Sequence, residues 1–231
     1  MNIMVKCRKM NEKEEMFIKD DGEFSTKGEH IMGKKVLIAT LFKSDPVMLA
    51  TTKLSPDRLI LLVGKEPHKD TEKSLDIIKS ALGNVIDIKI KRVDILDVVQ
   101  VAESVVDIIE MQPSEDKVYV NITAGRKTLA LGALYGAYAR SSRVRRIAYN
   151  PEEDKSSVIY LPKMNFRLNQ SQHKILDMVA ETSYATTKQL AEAIDLSPAM
   201  LYRTLDELKE MGFVTVEDSL QLTDAGKIAR L

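Results

Sequence analysis

The chain has 231 residues, 44% hydrophobic and 29% charged, with 34 basic against 34 acidic side chains; this is ordinary globular material, long enough for two compact cores. A single cysteine, Cys7, excludes a disulfide framework and a thiolate metal site, and it fits a reducing cytoplasm. The three histidines, His30, His68 and His173, are scattered, and no stretch approaches the run of about eighteen apolar residues that a membrane span needs, so the expectation is a cytoplasmic protein with no metal and no membrane partner.

Residues 1–33 hold 6 basic against 7 acidic side chains, residues 34–163 hold 21 against 17, and residues 164–231 hold 7 against 10. Residues 1–33 lack periodicity and are broken by Asp20-Asp21-Gly22, which predicts a poorly ordered extension or a short hairpin, with Met32 a conceivable alternative start. Regular patterning begins after them. The apolar run at 35–40 suits a buried parallel strand, and Ser44-Asp45-Pro46 starts a helix, with Asp45 able to cap and Pro46 suited to the first turn. Strands at 58–63, 85–91, 117–121 and 144–149 alternate with helical patterns at 69–82 and 95–111, and 157–161 adds a last strand. The prediction for residues 34–162 is a Rossmann-like α/β domain with a parallel sheet and right-handed crossovers. A ligand would sit at the carboxyl ends of its strands.

Two strand ends qualify as sites. After the fourth strand comes Asn121-Ile122-Thr123-Ala124-Gly125-Arg126-Lys127-Thr128, followed by a helix rich in small residues. Ala124 and Gly125 permit close backbone approach. Free amides at the helix start, the hydroxyls of Thr123 and Thr128, and the charges of Arg126 and Lys127 favour an anion such as phosphate. The loop is not a Walker loop, because the spacing of its glycines and the Gly-Lys-Ser/Thr ending are missing. An equally good reading is a plain strand-to-helix turn with a capping threonine and solvated charges. Gly132, Ala133, Gly136 and Ala137 predict a close helix, sheet or dimer contact. At the end of the first strand, Thr40, Leu41 and Phe42 offer a hydroxyl and a ring face, although such a Phe more often packs. His68, in the loop after the second strand, reads as a solvated side chain rather than a base.

This loop, preceded by a Rossmann-like domain and followed by a winged helix, resembles the CARF-domain regulators associated with archaeal CRISPR loci, over residues 34 to the C-terminus. In that family the loop usually carries two consecutive glycines, and Ala124 stands at the first of them. The resemblance implies a CARF-like site at a homodimer interface, with a cyclic oligoadenylate or other nucleotide as effector and no other cofactor. It assigns the ligand to Asn121, Thr123, Ala124, Gly125, Arg126, Lys127 and Thr128, with Thr40, Leu41 and Phe42 as the first-strand element.

Residues 163–231 read as a winged helix-turn-helix. Ile175, Leu176 and Val179 face one helix inward, and Leu190, Ala191 and Ile194 a second. Ser197 and Pro198 open a third, whose buried stripe is Leu201, Leu205, Leu208 and Met211. The outward side of that third helix is Ala199, Met200, Tyr202, Arg203 and Thr204, with Arg203 the expected guanine or phosphate contact and Thr187 and Lys188 the backbone contacts. Residues 213–216 and 220–222 form the wing around Glu217 and Asp218, and 222–226 begins a closing helix. The acidic balance of this segment conflicts with phosphate neutralisation. A symmetric dimer resolves it by presenting two Arg203 side chains, and a basic patch of Arg140, Arg143, Arg145 and Arg146 is a second resolution, against the plainer reading of a solvated turn. The function expected is a homodimeric, ligand-responsive transcription regulator that binds duplex DNA, linked to CRISPR-Cas defence, with no catalytic residues. Its rivals are a ring nuclease that uses Arg126 or Lys127 to stabilise developing phosphorane charge, and a winged-helix dock for another protein.

Overall fold

The computed structural model describes residues 33–154, 157–164, 168–181, 187–194, 196–216 and 219–231, together with the backbone of two short strands in the first 33 residues. Met1–Gly33 and Lys34–Leu231 are two separate units. In the first, β1 (Glu15–Ile18) pairs antiparallel with β2 (Phe24–Lys27). Asp20-Asp21-Gly22 and Met32 lie outside the described residues.

In the second unit, β3 (Lys35–Thr40), β4 (Arg58–Gly64), β5 (Asp87–Val93), β6 (Lys117–Asn121) and β7 (Val144–Tyr149) run parallel, and β8 (Ile159–Leu161) joins antiparallel to β7. Their order across the sheet is β5-β4-β3-β6-β7-β8. Successive strands thus step outward from β3 in one direction as far as β5, and the chain then returns to β6 on the other side of β3.

The unbroken apolar runs follow from burial on both faces. Val36 and Ile38 of β3, with Ile60, Leu62, Val118 and Val120, face a core closed by α3 (Val98–Glu110) and α4 (Lys127–Ala139). Leu37 and Ala39, with Leu59, Leu61 and Val63, face a second core closed by α1 (Ser44–Leu54) and α2 (Lys69–Leu82). Each fully buried Leu or Ile in these layers contributes roughly 1.5–3 kcal/mol of transfer free energy.

Boundaries differ from expectation where local hydrogen bonds override the pattern. β5 starts at Asp87 because Val85 and Ile86 donate their N–H groups back to Leu82, and Val85 is exposed. α3 starts at Val98 because the Asp97 carboxylate accepts the Gln100 N–H at 3.0 Å and ends the helix there. Asp45 caps nothing; it sits inside the first turn of α1, behind Lys43 as N-cap. The small residues of α4 have an intrachain cause. A Cβ on Gly132 would stand 2.6 Å from Val101, and one on Gly136 2.6 Å from the Ala102 carbonyl, so α3 and α4 approach closely only because both positions lack a side chain.

The C-terminal part consists of α5 (Gln170–Glu181), α6 (Thr187–Ile194), α7 (Pro198–Glu210), the hairpin β9 (Val214–Val216) and β10 (Leu220–Leu222), and α8 (Asp224–Ala229). Ile175, Leu176, Leu190, Ile194, Leu201, Leu205 and Leu208 form its core. Met211 does not join them. It follows the last helical turn, ahead of Gly212 at φ +72°, and is half-exposed. α8 packs against α3 and α4 of the sheet domain as well as against α5 and β10. Its Gly226 is required by contact, since a Cβ there would lie 2.0 Å from the Phe213 carbonyl oxygen.

Candidate functional site

The reversal of strand order places a topological switch point between β3 and β6, where the chains leaving adjacent parallel strands diverge and open a crevice. A cavity of about 610 Å³ lies there. The β3–α1 connection contributes Phe42, Lys43 and Asp45, the β6–α4 loop contributes Thr123, Ala124 and Gly125, and the segment after β7 contributes Asn150 and Glu152. The two strand ends singled out in the sequence therefore form one site.

Its floor is a hydrogen-bonded frame. Thr40, fully buried, donates its hydroxyl to the Ala124 carbonyl and ties the loop to β3. Asn121, 1% exposed, accepts the Thr123 N–H at 3.1 Å through Oδ1 and donates from Nδ2 to Asn150 Oδ1 at 2.8 Å. The Thr123 hydroxyl accepts the Asn150 N–H at 2.8 Å and donates to Asn150 Oδ1 at 3.3 Å. Asn150 in turn donates to the Ser157 carbonyl at 3.2 Å. Gly125 sits at φ +92°, a left-handed conformation that turns the chain into α4.

Of the ten candidate ligand residues singled out above, Thr40, Leu41, Asn121 and Ala124 are buried, and Leu41 belongs to the core beneath α1 and α2. Phe42 faces the cavity and meets His68 with ring centroids 5.1 Å apart. His68 itself caps α2, its Nδ1 accepting the Asp70 N–H at 3.3 Å. Arg126 and Lys127 are exposed at the start of α4, with Thr128 half-buried behind them, and neither cation has an acidic partner among the described residues. Sequence reasoning missed Lys43, Asn150 and Glu152. The only signal for Asn150 was a polar residue at the end of an apolar strand, just before Pro151.

Among the described residues, six helix starts divide into two groups. Side chains cap α2, α3, α7 and α8, from His68, Asp97, Ser197 and Thr223 respectively. α1 and α4 begin at Lys43 and Arg126 with no side-chain cap, and both open beside this cavity. Their first-turn amides and positive dipole ends remain available to an anion. A larger cleft of about 1060 Å³ lies between α3, α4 and α8, but Asp94, Asp97, Glu103 and Asp224 line it, which disfavours an anion. Among the described residues no group of His, Cys, Asp and Glu could hold a metal ion, and no helix is long and apolar enough to cross a membrane.

On the winged helix, Ser197 accepts the Met200 N–H at 3.3 Å and caps α7 behind Pro198. Ala199, Met200, Tyr202 and Arg203 are exposed along the outer face, and the Arg203 side chain is 84% exposed. Thr204 turns inward, 7% exposed, and gives its hydroxyl to the Met200 carbonyl at 2.9 Å. Thr187 and Lys188 open α6, with side chains outside the described residues, as is the wing tip at Glu217 and Asp218. The four arginines of the sheet domain are partly committed elsewhere. Arg140 pairs with Glu110, Arg143 donates to the Gln112 carbonyl at 2.6 Å, and the Arg146 guanidinium lies 4.5 Å above the Tyr160 ring.

The chain thus joins a Rossmann-like sheet domain, with a crevice at its switch point, to a winged helix-turn-helix. Residues 36–154, more than half of the chain, match the family model "HFX_2341_N-like, N-terminal", and the chain belongs to that family. Residues 168–221 match the MarR family model. Among solved structures, the chain is similar to Can2 from Sulfobacillus thermosulfidooxidans in complex with cyclic tetra-adenylate, at 16% identity and TM-score 0.46, covering 84% of this chain and 63% of that one. A type III CRISPR defence DNA nuclease activated by cyclic oligoadenylate aligns at 14% identity and TM-score 0.42, covering 77% of this chain and 30% of that one. Protein VC1899 from Vibrio cholerae aligns at 11% identity and TM-score 0.43, covering 84% and 63%. The chain thus spans less than two thirds of the length of each of these structures. No curated protein matches the sequence.

Proposed function

We propose that the chain is a ligand-responsive transcription regulator: the crevice at the ends of β3, β6 and β7 takes a phosphate-bearing nucleotide, and the winged helix takes duplex DNA. One observation carries the ligand half. α1 and α4 both begin without a side-chain cap around the same cavity, whereas α2, α3, α7 and α8 are capped. Two uncapped helix starts, with Lys43, Arg126 and Lys127 near them, suit two phosphates or one phosphodiester. Asp45 and Glu152 in the same wall repel phosphate but accept hydrogen bonds from ribose hydroxyls or a base amine. A ligand carrying phosphates, riboses and amino-bases answers to all of these groups.

The resemblance of the 121–128 loop to CARF-domain regulators makes cyclic oligoadenylate the first ligand to test, and it supports a homodimer in which two such sites join. On this reading Phe42, Thr123, Gly125, Arg126, Lys127 and Thr128 meet the ligand, while Thr40, Asn121 and Ala124 hold the loop in place and Leu41 packs in the core behind it. α4 links the two halves, because it starts at the cavity and its body carries α8 of the winged helix. A ligand that prefers one placement of α4 shifts the winged helix by its differential affinity for that placement.

The test is fluorescence anisotropy of the full chain on duplexes from the region upstream of its own gene, with and without cyclic tetra-adenylate. Salt-dependent binding whose midpoint moves on adding the nucleotide is the expected result. No DNA affinity in either condition sinks the regulator reading, and DNA affinity indifferent to a nucleotide that calorimetry also fails to detect sinks the ligand. Conversion of the labelled nucleotide to linear products, abolished by Lys127→Ala, replaces it with a ring nuclease.

A further inference from the structure

We infer that Glu207 and Gln172 are positioning residues for DNA reading: together they hold Arg203 by its Nε edge and leave only its two terminal nitrogens to meet a base. The inference rests on the DNA-binding half of the reading above. Arg203 Nε donates to Glu207 Oε1 at 3.2 Å, one turn along α7. Exposed pairs of this spacing normally do little to fix a long side chain, since solvent screens the charge and two flexible chains must be ordered together. Here the carboxylate is anchored from a second helix. Gln172, 4% exposed, donates from Nε2 to Glu207 Oε2 at 3.1 Å.

Gln172 is itself fixed by a reciprocal pair at the start of α5. Its Oε1 accepts the Asn169 N–H at 2.9 Å, and its own N–H donates to Asn169 Oδ1 at 2.9 Å. The chain of contacts therefore runs from a helix cap, through a buried amide and a carboxylate, to the most exposed cation of α7. A small cavity lined by Asn169, Gln170, Ser171, Arg203 and Glu207 lies over it.

The arrangement has a chemical consequence. A guanidinium can grip guanine O6 and N7 either side-on, through Nε and one terminal nitrogen, or end-on, through both terminal nitrogens. Glu207 occupies Nε, which leaves end-on approach. Its negative charge also opposes loose attachment of Arg203 to phosphate. Glu207 thus trades non-specific affinity for base discrimination, in keeping with the acidic balance of 7 basic against 10 acidic residues in 164–231.

Selection of the full chain on duplexes with a randomised core of about sixteen base pairs, long enough for two half-sites, followed by competition between the selected duplex and its single-base variants, tests this. Two substitutions break the relay without removing Arg203. Glu207→Gln leaves one side-chain oxygen where the relay uses two. Gln172→Glu keeps the acceptor for the Asn169 N–H but sets a second carboxylate against Glu207. Both should lower discrimination at one base pair by about tenfold, the loss expected for a misplaced bidentate contact. Affinity of Glu207→Gln for random duplex should be unchanged or higher, which a merely destabilised domain would not show. Arg203→Lys should lose the same discrimination. In the free protein, the Arg203 Nε–H resonance should shift and exchange faster in both relay variants.

Unchanged discrimination in both relay variants overturns the inference, as does an Arg203 resonance indifferent to them. If the wild-type chain selects no duplex while the resonance does respond, the regulator reading has failed and the relay remains only as a structural tie.

Discussion

Gly125→Ala probes the loop on which the proposed ligand site depends. At φ +92° a side chain meets its own backbone, at a cost of roughly 1–2 kcal/mol for an ordinary left-handed residue and up to about 3 at strained positions. The new methyl would also stand 3.0 Å from Leu129 Cδ2 and 3.6 Å from Thr40 Cβ. Leu129 is buried but ends in a movable methyl, so a shift of a few tenths of an ångström relieves part of that contact. The sum is a loss of about 1–3 kcal/mol, or roughly 2–12 °C in melting temperature for a chain of this size. Gly212→Ala is the internal control. It shares a positive φ, +72°, but nothing lies within 4 Å of the place its new methyl would take, so only the backbone penalty of about 1–2 kcal/mol applies. Scanning calorimetry of both variants beside the wild type separates the two effects. Gly125→Ala should melt below Gly212→Ala, and it should bind cyclic tetra-adenylate more weakly because the α4 amides are displaced. A Gly125→Ala protein as stable as wild type would mean that the chain does not turn left-handed there, and the geometry of the site would have to be redrawn.

Gly136→Ala should destabilise by about 1–3 kcal/mol in urea denaturation although alanine is the better helix former, because its methyl would meet the Ala102 carbonyl at 2.6 Å and force α3 from α4; a gain in stability would refute that close approach. Thr123→Val removes the acceptor of the Asn150 N–H, and the stranded group should cost about 1–3 kcal/mol in the same measurement. Arg58 hydrogen-bonds Asp87 at 2.7 Å and holds its carboxyl below the ordinary value of 3.8. A lowered folded-state pKa contributes stability that is present above the ordinary value and is lost as pH falls through the folded one. The deficit of Asp87→Asn relative to wild type should therefore shrink between about pH 7 and pH 3; a deficit independent of pH would remove the charge explanation.

Much of this architecture is written in local patterns. The apolar run at 35–40 and the spacing of Leu201, Leu205 and Leu208 declare their elements by pattern alone, because apolar side chains recur where a core face recurs, and the loop 121–128 declares itself by its small and polar residue types. Caps were less legible. Asp97 ends the backward reach of α3 by one carboxylate, and Asp45, equally well suited by type, caps nothing. The difference lies in where each carboxylate points. The stripe of Gly132 and Gly136 promised a close neighbour, and only the packed structure names the helix α3 as what meets both positions.

The site shows the same division. Residue types alone put Arg126, Lys127 and two threonines on a strand-to-helix turn, and Arg203 on the outer face of a helix, since both follow from short-range spacing. That the ends of β3 and β6 form one crevice was decided by the sheet order, a long-range pairing with no local trace. Tertiary contacts likewise committed Thr40 and Asn121 to the loop's frame, brought Asn150 to it from beyond β7, and tied Arg203 through Glu207 to a glutamine at the start of another helix. Hydrogen-bond partners distant in sequence leave no periodicity behind, so the sequence determined which side chains were available, and the packing of the sheet and helices decided which of them remain free to meet a ligand.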